Sequence, residues 1–231
     1  MNDLEICYLP AQWRALKTEA LNASACAVID VIRATSTIVT ALANGADGVQ
    51  PVADAADAFA LKALHPEALL AGERGGVPLA GFDLGNSPED FTRERIGGRR
   101  ILLTTTNGTQ ALEACRGARA VIAASLLNLN AVAEKLKSLG PPWIIVCAGH
   151  EGGFGVDDAI VAGALAEALN QPDAFVSLYH SVRQNLSGAL QGSLAGHALV
   201  NVGMGKDIPF CANVNTLPVV PILDGKGVLG I

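Results

Sequence analysis

The sequence predicts an α/β fold with mostly parallel strands, and three observations carry that prediction. Short apolar or β-branched runs alternate with Ala/Leu-rich stretches of helical length. The runs are apolar throughout, as parallel strands are when helices cover both faces. Four polar or Gly-rich clusters each follow such a run directly, which is where ligands bind in open parallel sheets.

The strand candidates, in order, are 25–31, 48–52, 68–71, 100–105, 120–124 and 143–148. Between them lie helical stretches at 36–43, 55–64, 110–115 and 130–139. Right-handed crossovers join such strands. The clearest helix is 157–169, where Ile160, Val161, Ala164, Leu165, Ala168 and Leu169 share one stripe. Asp157 and Asp158 occupy its first turn, where the helix dipole favours anions. Asn86-Ser87-Pro88-Glu89-Asp90 reads as another helix start, with Ser as cap and Pro at the first position. Leu186, Leu190 and Leu194 recur at helical spacing within 186–205. Beyond Asp207 the prolines at 209, 218 and 221 predict an irregular or strand-forming tail.

An internal repeat is signalled weakly. Residues 69–76 (LLAGERGG) align with 146–153 (VCAGHEGG), identical at four of eight positions. Asn44-Gly45-Ala46 before one strand mirrors Arg116-Gly117-Ala118 before another. Ala and Gly are abundant, so the match alone leaves chance open. A true repeat divides the chain into two similar halves near residues 95–100.

Composition narrows the function classes. The chain has 231 residues, half of them hydrophobic, which suffices for a real core without disulfides. Sixteen Lys and Arg stand against 22 Asp and Glu, a net charge of −6. Such a field argues against nucleic acid or an anionic membrane as partner, so an anionic ligand needs a local site. Mean hydropathy is +0.36, yet the longest uncharged stretch, 184–205, is too rich in Gly, Ser, Asn and His to span a bilayer. The opening MNDLEICYLP lacks the basic and apolar regions of a signal peptide. Five unpatterned cysteines read as reduced thiols, and the expected location is cytoplasmic.

The polar clusters are 30–37, 72–76, 104–109 and 147–153. The hydroxyls of 104–109 and the helix that follows suit an oxyanion, although a Thr-rich strand end with an Asn-Gly turn is equally ordinary. Asp30 and Glu73 at two strand ends, with Asp157 or Asp158 after a third, form a hard oxygen set suited to Mg²⁺. Helix capping accounts equally well for the last two. Arg33 and Arg74 are placed either to clamp an anion bidentately or to neutralise Asp30 and Glu73. His150 and Glu151 are candidates for proton transfer. A buried thiol is the default for Cys147. Walker and dinucleotide glycine motifs are absent. Gly153 stands where a cysteine phosphatase needs Arg, and Ile32 where an Asp-x-Asp phosphatase needs its second Asp. No Cys/His spacing suggests zinc.

Taken together, Asp30-x-x-Arg33-Ala34-Thr35, Gly72-Glu73-Arg74-Gly75-Gly76, 81–88 (GFDLGNSP), Thr105-Thr106-Asn107-Gly108-Thr109 and Cys147-Ala148-Gly149 with Asp157-Asp158 resemble the 2-phosphosulfolactate phosphatase family. The motifs run in the family's order and extend to Asp207-Ile208 and Cys211. Where the family shows Glu-Asp this chain has Asp157-Asp158, so the acidic role carries over to Asp158.

The resemblance implies two topologically similar three-layer α/β halves, 1–97 and 98–231, with the active site at the carboxyl ends of the strands. It implies a Mg²⁺-dependent hydrolysis of (2R)-phosphosulfolactate to sulfolactate and phosphate, a reaction of coenzyme M biosynthesis. Asp30, Glu73 and Asp158 would hold the metal. Arg33, Thr35, Arg74, Asn86, Ser87, Thr105, Thr106, Asn107, Gly108 and Thr109 would bind the substrate. The nucleophile is water, Asp30 or Cys147. The partner expected is a small anionic phosphoester, with a homo-oligomer left open. The alternatives are a phosphatase of another small phosphorylated hydroxy acid and a non-catalytic anion binder.

Overall fold

The computed structural model describes residues 3–231. The chain opens with strand β1 (Leu4–Cys7) and helices α1 (Pro10–Arg14) and α2 (Thr18–Ala23). There follow β2 (Ala25–Ile29), α3 (Ala34–Ala43), β3 (Gly48–Pro51), α4 (Ala55–Leu64) and β4 (Leu69–Arg74). A short β5 (Val77–Pro78) and α5 (Arg93–Ile96) lead to β6 (Arg100–Thr104), α6 (Gly108–Ala114), β7 (Ala120–Ala124), α7 (Leu129–Leu139) and β8 (Trp143–Cys147). The remainder is helical, α8 (Val156–Ala168), α9 (Ala174–Val182), α10 (Leu186–Gln191), α11 (Leu194–Asn201) and α12 (Asp207–Cys211), before strands β9 (Ile222–Leu223) and β10 (Leu229–Gly230).

Ten strands form one sheet in the order β1-β8-β2-β7-β9-β10-β3-β6-β4-β5. Two parallel blocks, β1-β8-β2-β7 and β3-β6-β4, are joined by the antiparallel β9–β10 pair. Alternate residues of β2 point to opposite faces. Ala25, Ala27 and Ile29 pack beneath α7, α8, α10, α11 and α12, while Cys26 and Val28 pack on α3 and α6. The same helices α3 and α6 also cover Val49, Ala71, Ile101 and Leu103 of the second block. Its far face, with Leu70 and Leu102, lies against α4. Each block is therefore a sheet between two helical layers, and the central layer is shared. Burial on both faces is why the strands are apolar throughout.

The element orders β2-α3-β3-α4-β4 and β6-α6-β7-α7-β8 match. Each places its first strand between the second and third of the other: β2 lies between β8 and β7, and β6 between β3 and β4. The strands of residues 3–97 and of 98–231 thus interleave in one sheet.

Three local expectations change. Ser87-Pro88 starts a single 3-10 turn, Pro88–Asp90, that stops at Phe91. The tail beyond Asp207 begins with helix α12 before its two short strands. The stretch 186–205 is two helices, broken at Gly192-Ser193, where the Ser193 hydroxyl accepts the Gly196 N–H at 2.9 Å and restarts the helix. No helix among the described residues is long and apolar enough to cross a membrane.

Candidate active site

The ends of β2, β4, β6 and β8 converge on a cleft of about 340 Å³. Asp30, Arg33, Glu73, Asn86, Thr106, Asn107, His150 and Glu151 line its polar side. The α11 part of the lining is mostly apolar, with Asn201 its polar member. Ala195, Ala198, Leu199 and Val202 recur at helical spacing along α11 and its end, and Ile32 joins them.

Asp30 leaves β2 in a tight turn. Its N–H donates to Thr35 Oγ1 at 3.1 Å, and that hydroxyl donates back to the Asp30 carbonyl at 2.9 Å. The second repeat uses the same device: the Thr105 N–H donates to Thr109 Oγ1, which donates to the Thr105 carbonyl. Thr35, Thr105 and Thr109 are buried and shape these turns; they do not reach the cleft. Of the Thr-rich cluster, Thr106 and Asn107 face the cleft. Gly108 packs against Asp30, and a Cβ there would stand 2.6 Å from Asp30 Oδ2.

Glu73 is brought in by the close approach of β4 to β6. A Cβ on Gly72 would stand 2.2 Å from the Thr104 carbonyl, so only glycine permits that pairing. The Glu73 carboxylate then accepts the Thr106 N–H at 2.8 Å, the Thr106 hydroxyl at 3.0 Å and the Gly76 N–H at 2.7 Å. Asp158, on α8, makes comparable contacts in the other repeat. Its two oxygens accept the N–H groups of Val31 (2.9 Å) and Gly149 (3.0 Å), tying the β2–α3 turn to the β8–α8 turn. Asp158 is buried and does not line the cleft.

The acids here are held away from their ordinary behaviour. Burial, with the charges of Glu73 and Asp157, pushes Asp30 up to about 7, against the opposing N–H groups of Ala34 and Gly108. Burial likewise lifts Asp157 to about 6, and Asp158 well above the carboxylate range with help from the Asp157 and Asp30 charges. Carboxylates gathered with so little water favour a cation beside them.

Arg33 is 4% exposed. It donates to Asp207 Oδ2 at 2.7 Å and to the Gly76 carbonyl at 2.8 Å. Arg74 is directed elsewhere, donating to Thr104 Oγ1 (2.9 Å) and the Glu73 carbonyl (2.7 Å) outside the cleft. Ser87 donates to Asp207 Oδ1 at 2.6 Å, so its hydroxyl serves Asp207. Asn86 lines the cleft, and its buried Oδ1 has no hydrogen-bond partner, leaving an acceptor for a bound donor. Cys147 has no exposed surface, and burial, with the charges of Asp158 and Asp157, raises its thiol well above the usual range. It is a core residue and does not line the cleft.

No three His, Cys, Asp or Glu side chains among the described residues converge as a metal-ligand group. Asp30 and Glu73 are the carboxylates that line the cleft from two strand ends. One or two carboxylates are what Mg²⁺ ordinarily takes from a protein, its other positions going to water and substrate phosphate. Asp207 and the α11 wall lie outside the polar clusters of the sequence. The helical recurrence of small apolar residues was the one signal for α11, and it resembles any core helix.

Comparison with known proteins agrees with this geometry. The model of the family described as 2-phosphosulpholactate phosphatase matches residues 12–226. A relative from Thermotoga petrophila, named probable 2-phosphosulfolactate phosphatase, is 44% identical over 202 residues, covering 85% of this chain and 87% of its own. Relatives of the same name from Symbiobacterium thermophilum and a Cyanothece species are 41% and 38% identical over 224 and 222 residues. They cover 91% and 88% of this chain, and 96% and 91% of their own. The chain belongs to the 2-phosphosulfolactate phosphatase family and is a phosphoric monoester hydrolase.

Proposed function

We propose that the cleft hydrolyses 2-phosphosulfolactate to sulfolactate and phosphate with Mg²⁺, the reaction of coenzyme M biosynthesis, in the cytoplasm. The observation that carries the reading is the convergence of Asp30 and Arg33, from the end of β2, with Glu73, from the end of β4, on one cleft. Five buried, unpaired cysteines favour a reducing compartment.

Asp30 and Glu73 would hold the cation, with Asp158 supporting Asp30 through the Val31 N–H. Held there, Mg²⁺ would supply Lewis-acid polarisation of a phosphoryl oxygen and a more acidic water. Charge supports a cation: Arg33 is the one arginine among the lining residues, against Asp30, Glu73 and Glu151, and the proposed substrate is a polyanion. Arg33 aims its free N–H groups at the phosphoryl oxygens and offsets charge in the transition state. Asn86 Oδ1 accepts from a protonated oxygen of the substrate or from a water. With Cys147 sealed in the core, the attacking oxygen belongs to water or to Asp30. Positioning and electrostatics supply most of the acceleration in phosphoryl transfer.

The α11 wall favours a second reading, a phosphorylated hydroxy acid with an aliphatic body in place of the sulfonate. Phosphate release from phosphosulfolactate, phospholactate and phosphoglycerate, with Mg²⁺ and with EDTA, tests both. Fast, EDTA-sensitive release selective for phosphosulfolactate supports the first reading. Preference for phospholactate supports the second. No release from any ester overturns both in favour of an anion binder.

A further inference from the structure

We propose that Asp207, on α12, is the positioning residue for Arg33, fixing the guanidinium in the orientation that receives the phosphoryl group; this rests on the phosphatase reading above. Asp207 has no exposed surface and lies 174 residues from Arg33 in sequence. Both of its oxygens are used, Oδ2 by Arg33 at 2.7 Å and Oδ1 by the Ser87 hydroxyl at 2.6 Å. Arg33 is held again from the other side, where its second terminal nitrogen donates to the Gly76 carbonyl at 2.8 Å. The guanidinium is thus pinned through both terminal nitrogens, and Arg33 lines the cleft.

The contacts form one connected path. Gly76 accepts from Arg33 through its carbonyl and donates through its N–H to Glu73, which accepts from Thr106. Asp207 therefore anchors the two cleft groups Arg33 and Glu73 together. A buried ion pair stabilises a fold no better than apolar residues of similar volume, so stability alone does not account for placing this one against the cleft. Its contribution is orientation: a guanidinium free to turn would follow the nearest acid, and Asp30 and Glu73 both line the same space.

The test is the affinity of the full-length protein for inorganic phosphate by titration calorimetry, with steady-state kinetics and Tm alongside. Asp207→Asn is expected to weaken phosphate binding and raise KM by roughly 10- to 100-fold, the order of loss that a 1 Å misplacement produces. In an Arg33→Met background the same substitution is expected to cost nothing further, because its effect runs through Arg33. A purely structural role lowers Tm and leaves phosphate affinity alone, and that outcome overturns the proposal. So does an equal loss of affinity with Arg33 already removed. Should Asp207→Asn not fold, Asp207→Glu keeps the charge while displacing the guanidinium; a loss of about tenfold is expected, and unchanged affinity overturns the proposal. Wild-type protein that binds no phosphate at all overturns the phosphatase reading and this one with it.

Discussion

Replacing Gly108 by alanine adds one methyl group at the closest packing point of the site. That Cβ would stand 2.6 Å from the Ala34 Cβ, 2.6 Å from Asp30 Oδ2 and 3.1 Å from the Asp30 Cβ. Carbon atoms in contact rest at about 3.5–4.0 Å, so the neighbours must retreat by about 1 Å. Neither neighbour is a flexible chain end. Ala34 has only its backbone to move, and Asp30 is held by the Ala34 N–H at 3.2 Å and by the Thr35 turn. The displacement therefore falls on Asp30 and on the β2–α3 turn. Overpacking of this kind costs about 1–3 kcal/mol, or roughly 2–12 °C in Tm for a chain of this size. Moving Asp30 by about 1 Å lowers turnover by roughly 100-fold. Phosphate release and a thermal melt on the same preparation check both figures. A Gly108→Ala variant with wild-type turnover and unchanged Tm would refute the placement of Asp30 against α6.

Three further outcomes follow from side-chain placement. Cys147→Ala should keep turnover within about threefold while lowering stability by about 1 kcal/mol, because the thiol fills core volume and touches no substrate; loss of turnover in a folded variant would restore Cys147 as nucleophile. Arg74→Ala should lower turnover only a few-fold, whereas Arg33→Ala should lower it by roughly 100-fold or more, since only Arg33 lines the cleft; equal losses would show both arginines at the substrate. In EDTA, stability should fall as pH rises from about 4 to about 7. Asp30 and Asp157 titrate at about 7 and about 6 in the fold against 3.8 in an ordinary environment. The folded chain thus holds those protons more tightly, and the stability they confer is complete below about 4 and lost on passing the raised values. The loss is on the order of a few kcal/mol, and Asp30→Asn should flatten it. A melt series that is level in EDTA would show that the carboxylates are better solvated than the fold indicates.

Much of the frame was legible because burial on both faces leaves a plain mark. The strand candidates 25–31, 48–52, 100–105 and 120–124 each enclose or coincide with a strand of the sheet. Asp30 and Glu73 were legible for a related reason: a carboxylate that ends an apolar run marks the carboxyl end of a buried strand. The partners of those groups were not. Asp207 joins Arg33 across 174 residues, and no local pattern encodes such a distance. Thr105 and Thr106 are adjacent, and only the backbone's direction after β6 decides that one closes a turn while the other meets Glu73. Asp157 and Asp158 divide in the same way, the second spent on two backbone N–H groups. Pairing across repeats is also invisible in the sequence, since an order of elements does not state which strands become neighbours.

The repeat explains why the site has its form. In both repeats the first strand ends in a turn closed by a threonine hydroxyl, at Thr35 and at Thr109. In both, a carboxylate from a neighbouring element holds the residue that follows: Glu73 of β4 takes the Thr106 N–H, and Asp158 in the first turn of α8 takes the Val31 N–H. These shared contacts build the scaffold, and the chemistry lies where the repeats depart from one another. The first has Asp30 where the second has Thr105, and Glu73 where the second has His150. The two acids proposed to hold the cation therefore come from one repeat. The interleaved strands set them beside Thr106 and Asn107 of the other repeat. Exchange of strands between the repeats is what allows a single cleft to draw on both, and a chain whose repeats folded as separate sheets would divide the same residues between two incomplete sites.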